Sequence, residues 1–398
     1  MRPQLWVLFI VSFLAGAAMG FFALLLSELA RERSYGDVDL GLVSSAYYLL
    51  VVVGSACAVR LAPWHGVRRL LVVGLTLGAV AAVLSPLAPR VFGLAAVRAL
   101  GGLGAGLQIT AAHAALLAQA SPANRGKVLG ISALAFGVGL GAGPFVGPHL
   151  YAYSPPFAFT CGGVLLAFGA VLVSIFVEDV KVTPVRATLD VARRLVVPIH
   201  AVFVYGFAEA AILSLYPFFL LRQGLSPAQM GYACSAFVLG SLAGMLPITA
   251  LSDRVGRRRV LAWCLFGGSL LTCALARVAD FHAVFGLSLV AGMLVGPIYA
   301  LSYALAGDVL DVREAPSGAA GLTSAFAIGC IAGPVVTSLV VERFGHGALF
   351  APTIVLFASF AVHAWPLRRG SDSIRAMLES TSAAPSLQNI DVTKKVEP

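Results

Sequence analysis

Glu209 is an acid in the middle of a long apolar stretch, Leu195 to Leu221. Low-dielectric surroundings penalise the charged form of such a group. Three roles are therefore open to it: carrying a proton, binding a cation, or standing in a fixed ion pair with a partner such as Arg98. Helical spacing puts Tyr205, Glu209 and Tyr216 on one face. Arg98 lies in another apolar stretch, within VRALGGLGAG, and a lone cation there must face protein or water. It suits either proton coupling or an anionic substrate, or, more blandly, it only bonds backbone carbonyls. His113, further along the same stretch, is a second proton-coupling candidate, although a histidine near a helix end is often merely solvated. Gln108, Tyr299 and Tyr303 are candidate cavity-lining residues, against the plainer reading that aromatics at helical spacing pack. A third cluster is TALSDRVGRRRV, Thr249 to Val260, where Asp253, Arg254, Arg257, Arg258 and Arg259 surround Gly256. Asp308 is a possible partner for Arg257 or Arg258; the alternative is that these cations only set topology.

The elements that must hold these residues are membrane helices. Hydrophobic residues make up 59% of the chain and charged ones 11%, against about 25% charged in a soluble domain, and the mean hydropathy is +0.92. The net charge of +9 does not point to nucleic acid, because most cations sit in short connections between apolar runs. Twelve spans of about 20 residues fit between Leu5 and Leu367. They include a third span from Leu70 to Leu87 behind a basic loop from Arg60 to Arg69, a fourth from Val91 to Gln119, and a tenth from Ala283 to Gly307. With the N-terminus inside, only Arg31, Arg33, Arg90, Arg222, Arg277 and Arg343 fall in outside loops, which follows the positive-inside rule and places both termini in the cytoplasm. The six cysteines lie inside spans with no C-x-x-C spacing and read as packing residues, with no metal site.

One ungapped shift of the sequence on itself superposes Gly41 on Gly231, Ser45 on Ser235, Gly66 on Gly256 and Arg68 on Arg258. The same shift superposes Gly139 on Gly329, Gly143 on Gly333 and Pro144 on Pro334. The expected fold is thus all-α: twelve transmembrane helices in two pseudo-symmetric six-helix halves around a midplane cavity. The expected divisions are residues 1–177, a cytoplasmic linker 178–194, residues 195–367 and a polar tail 368–398 too poor in apolar residues to pack.

Leu251, Asp253, Arg254, Gly256, Arg257 and Arg258 resemble the signature loop G-x-L-x-D-R-x-G-R-R of the major facilitator superfamily, with Thr249 at its first glycine. In the first half Pro63 and Trp64 replace the Asp and Arg of that pattern. Arg98, Gly102, Gly104 and Ala105 look like the superfamily's fourth-helix motif, with Gly101 where a glutamine is usual. Gly139, Gly143, Pro144 and Gly147 resemble its antiporter motif, with Pro148 in place of the last glycine. The resemblance implies that Arg98 serves proton coupling or an anionic substrate. It implies that Asp253 and the arginines, with Asp308, act at an inner gate. It implies that the Gly-Pro stretches, including Gly329, Gly333 and Pro334, act as hinges or packing faces, and that the direction is export by antiport.

No P-loop, G-x-S-x-G elbow or H-E-x-x-H occurs in the sequence, so neither direct ATP drive nor hydrolase chemistry is expected. The leading expectation is proton-coupled efflux of a small organic solute from a monomer in the inner membrane. No cofactor beyond the proton gradient is expected. Protons, lipid and the solute are the partners, and nucleic acid is not. The alternatives are uptake by proton symport and a transporter-like sensor that moves nothing.

Overall fold

The computed structural model describes residues 3–120, 124–180, 194–310 and 315–364. Most of the expected linker and all of the expected tail lie outside the described residues. Among the described residues the regular structure is helical. The first six helices are α1 (Pro3–Glu32), α2 (Asp37–His65), α3 (Val67–Leu84), α4 (Val91–Gln119), α5 (Arg125–Tyr153) and α6 (Pro155–Phe176). The second set is α7 (Val196–Arg222), α8 (Pro227–Val255), α9 (Arg257–Leu275), α10 (Phe281–Val295), α11 (Pro297–Gly307), α12 (Ala315–Phe344) and α13 (Ala351–Ala364). Eleven described segments are long and apolar enough to cross a membrane, with mean hydropathy from 1.2 to 2.4. Here α10 and α11 count as one span, and the final apolar helix is shorter.

The tenth span, expected from Ala283 to Gly307, carries a proline in its middle. Pro297 removes one hydrogen bond of the ladder, but Gly296 keeps helical φ and ψ of −55° and −44° and its bond to the Gly292 carbonyl, so the span runs from Phe281 to Gly307. The basic loop expected from Arg60 to Arg69 shrinks to the single residue Gly66. Helix α2 runs on through Pro63 to His65, and α3 starts at Val67. The equivalent junction in the second half is Gly256 alone. Both glycines adopt positive φ, +79° and +106°, which side chains with a Cβ adopt only under strain. A chain reversal through one residue brings the flanking charges onto the helix ends themselves.

Glycines set the close crossings inside each half. A Cβ on Gly139 or Gly143 would overlap the backbone of α1 at Phe13 and Ala17. Gly329 and Gly333 press in the same way on Phe203 and Phe207 of α7. Trp6, Trp64 and Trp263 are exposed and stand at the end of the bundle that carries Gly66 and Gly256. That is the depth at which tryptophan sits at a membrane–water boundary.

Candidate functional site

The two halves meet along α2 with α12, α5 with α8, and α1 with α7. The contacts concentrate at the end opposite Gly66 and Gly256. There the Ser45 hydroxyl donates to the Ile331 carbonyl at 2.9 Å, and Ser235 donates to the Gly141 carbonyl at 2.8 Å. One turn nearer that end, a Cβ on Gly41 would overlap Pro334, and one on Gly231 would overlap Pro144. These are the repeat-related positions of the sequence exchanged between halves, so one packing solution is used twice. Leu24, Ala30 and Leu40 of the first half join Leu220 and Phe350 of the second in one buried apolar cluster. Arg222, at the end of α7, pairs with Asp37 of α2 and donates to His346 Nδ1 at 2.8 Å. Towards the basic end the halves separate. Gly130 lies on the same face of α5 as Gly137, two turns away. A Cβ at Gly137 meets Leu242 of the other half, while one at Gly130 meets nothing. The cleft between the halves is therefore tighter at the end of Ser45 and Ser235 than beside Gly130, towards the basic end.

Arg98 and Glu209 lie in opposite halves, both partly buried. Gly102 lets α4 press against the Tyr47 carbonyl of α2. That crossing sets the Arg98 guanidinium 4.4 Å from the centre of the Tyr47 ring, a cation–π contact. Arg98 Nε is buried with no hydrogen-bond partner. The side chain borders a cavity of about 30 Å³ that includes Ser44, Tyr47 and Tyr48 of α2 and Leu213 and Ser214 of α7. On its other side is a cavity of about 60 Å³ within the first half, reached also by Gln108. Glu209 lies one turn from Leu213 on the same face of α7, a rise of about 6 Å. One carboxylate oxygen, Oε2, is buried with no partner, and the Tyr205 side chain reaches the carboxyl. Among the described residues no ion pair joins Glu209 to Arg98; the Tyr48 phenol is within electrostatic range of both.

The floor of the cleft beside Glu209 is aromatic. Tyr205 stacks on Phe326 of α12 with centroids 6.0 Å apart and tilts against Tyr299 at 5.9 Å. The Tyr299 hydroxyl donates to Tyr303 at 3.1 Å, and Tyr303 meets Thr323 Oγ1 at 2.9 Å. A Cβ on Gly206 would overlap the Phe326 carbonyl, so this glycine fixes the α7–α12 distance that stacks the rings.

The other expected site residues lie elsewhere. Tyr216 shares the face of Glu209, but seven residues of rise, about 10 Å, carry it into the core. It is 2% exposed and bonds Ser288 Oγ at 2.7 Å. His113 is exposed and sits about 22 Å along α4 from Arg98, too far to share a site with it. At the basic end Arg257 is held by Asp253 Oδ1 at 3.1 Å, by Asp308 Oδ1 at 2.5 Å and by the Ala304 carbonyl at 2.7 Å. This network ties α8, α9 and the C-terminus of α11 inside one half and does not cross the cleft. Arg254 is exposed and Arg258 partly buried.

Sequence reasoning missed three features. Asp179, just past α6, accepts from the Arg68 N–H at 3.0 Å and occupies the space beside Gly66. It caps the start of α3, whereas Asp253 of the second half pairs with the Arg257 side chain. Tyr47 and Tyr48 accompany Arg98, and Asp37, Arg222 and His346 meet at the tighter end. Each depends on a contact through space between residues far apart in the chain.

The model of the Major Facilitator Superfamily matches residues 8–198 and again residues 199–386. The uncharacterized MFS-type transporter YfkF of Bacillus subtilis (strain 168) is 31% identical over 240 residues. That match spans 58% of this chain and 61% of the relative, just under two thirds of its length. The crystal structure of the nucleoside transporter NupG superposes with TM-score 0.76 at 14% identity, over 91% of this chain and 99% of that one. A bacterial homologue of the human lysosomal transporter Spinster, inward-facing and unoccupied, superposes with TM-score 0.72 at 12% identity, over 92% and 94%. At these identities the two structures show a shared fold.

Proposed function

The chain belongs to the Major Facilitator Superfamily, and from that premise we propose that it exports a small organic solute across the cytoplasmic membrane in exchange for protons. The observation that carries this reading is Glu209, halfway along α7, with a buried oxygen that no residue satisfies. An unpaired charge near the midplane costs roughly 2.5–3.5 kcal/mol or more. A carboxyl with no resident counter-ion is free to trade a proton for a ligand. With the cleft open to the cytoplasm, Glu209 releases its proton and receives solute. With the cleft open outside, solute leaves and a proton takes its place.

Alternating access needs a seal that can be unmade. Among the described residues the closed end is held by the Ser45 and Ser235 hydrogen bonds with their glycine contacts, a Tyr232–His149 hydrogen bond at 3.3 Å, the Arg222–Asp37 ion pair and one shared apolar cluster, all of them non-covalent side-chain and backbone contacts. Export is favoured over uptake by the Gly139, Gly143 and Pro144 stretch, which resembles the antiporter motif. Its glycines pack α5 on α1 while Pro144 meets Gly231 of the other half, so it links the inner packing of one half to the seal. In this reading the basic end faces the cytoplasm, supported by the Lys and Arg distribution. A periplasm-active reporter fused after Arg369 should stay silent, and activity there would reverse the orientation. The unit of transport in this proposal is a monomer.

The test is reconstitution in liposomes with an imposed pH gradient, an internal pH dye and a panel of labelled small solutes. At least one solute should accumulate against its gradient only while the pH gradient stands, with a matching proton flux. Uphill accumulation that survives collapse of the gradient by a protonophore would overturn proton coupling.

A further inference from the structure

Resting on the transport reading above, we infer that the solute is a small zwitterion with an apolar or aromatic body, its anionic group bound by Arg98 and its cationic group by Glu209. Two partly buried side chains of opposite sign lie in opposite halves, both within electrostatic range of Tyr48, and each keeps one buried polar atom without a partner. They do not neutralise each other. A buried charge is stable only when paired and hydrogen-bonded. With Glu209 ionised, a ligand with one charge satisfies one half and leaves the other orphaned; a ligand with both satisfies both and holds the halves together. Ser44, Ser214 and Tyr48 border the space beside Arg98 and can take further hydrogen bonds. The rings of Tyr205, Tyr299 and Phe326 form a wall for the body of the molecule.

The exchange is balanced without a covalent step. The solute's ammonium group enters as the proton leaves Glu209, and the carboxylate end stays on Arg98. A zwitterion has no net charge, so each exchange for one proton carries one positive charge inwards. Transport should then respond to membrane potential as well as to pH, whereas exchange of a monovalent cation for a proton would not.

The experiment uses the full chain purified in detergent and four matched probes: phenylalanine, its methyl ester, its N-acetyl derivative and its N-acetyl methyl ester. These are zwitterion, cation, anion and neutral molecule on one body. Phenylalanine at saturating concentration should raise the melting temperature by about 2 °C, and the other three should not. In Glu209→Gln the N-acetyl acid should stabilise as well as phenylalanine does; in Arg98→Gln the methyl ester should. Arg98→Lys should recover part of the zwitterion effect, and monodisperse elution of each variant shows that it folds. The inference is overturned if a singly charged probe stabilises the parent as well as the zwitterion, if the zwitterion effect survives both Gln variants, or if no probe shifts the melt. Uphill, pH-driven movement of a purely cationic solute would remove this inference and leave proton-coupled transport standing. A zwitterion that binds but is not moved by the gradient would do the reverse.

Discussion

Ser235 donates a 2.8 Å hydrogen bond to the carbonyl of Gly141 across the divide between the halves, and its repeat counterpart Ser45 does the same to Ile331 at 2.9 Å. The repeat therefore yields one interface made twice. A transporter that alternates must break both copies together, because each pairs a helix of one half with a helix of the other at the same depth.

A disulfide across either copy should lock the cleft. In a background free of other cysteines, Ser235→Cys with Gly141→Cys places two thiols where a hydrogen bond now stands. A Cβ at Gly141 meets only Val238 at 3.4 Å, so the substitution fits. Oxidation should abolish transport and reductant should restore it. Full transport by cross-linked protein would mean that this end never opens.

Glycine substitutions should separate packing from open space along α5. Gly143→Ala drives a Cβ into the backbone of α1 at Ala17 and Phe21, and should destabilise by about 1–3 kcal/mol. Gly130→Ala meets nothing and should raise the melt slightly, since Ala favours the helix over Gly by up to about 1 kcal/mol. Equal melting of the two variants would contradict the helix crossing described here.

Much of this arrangement was legible in the sequence. The spans, the repeat and the two intramembrane charges all announce themselves, because a charge in an apolar run and a glycine string at fixed spacing are local signals. Asp308 was legible as a partner of Arg257 because it ends the tenth span on the same side as the basic loop. Tyr216 misled because angular periodicity ignores rise: it shares the face of Glu209 but sits in a different layer. Asp179, Tyr47 and the trio of Asp37, Arg222 and His346 were not legible, because their roles come from helices brought together by the fold. The one-residue turns at Gly66 and Gly256 were only half legible: the glycine is visible, but not that the helices continue up to it through Pro63 and Val255.

The junction of the second half should tolerate loss of one ligand. Asp253 is 64% exposed at its side chain, and Arg257 keeps Asp308 and the Ala304 carbonyl. Asp253→Asn should therefore change stability by less than about 1 kcal/mol. If it takes part in the inner gate, it should also lower transport and raise labelling of a cysteine at the cytoplasmic end of α5. Unchanged labelling and transport would leave the arginines a role in topology alone.

The junction of the first half is capped twice, by the Asp179 carboxylate on the Arg68 N–H and by the Val180 carbonyl on the Val67 N–H at 3.0 Å. Asp179→Ala removes the acceptor of the Arg68 N–H and should cost about 0.5–2 kcal/mol, read as a lower melting temperature. Asp179→Asn should lose less, because an amide oxygen still accepts. An Ala variant as stable as the parent would mean that solvent caps α3 equally well.

The most direct test of proton exchange at Glu209 is Glu209→Gln in liposomes with an imposed pH gradient. The amide keeps the size of the side chain and removes its titration. The variant should still equilibrate solute between two pools at matched pH, yet fail to concentrate it when the gradient is applied. Uphill transport by Glu209→Gln with the pH profile of the parent would contradict the account and place the proton carrier elsewhere.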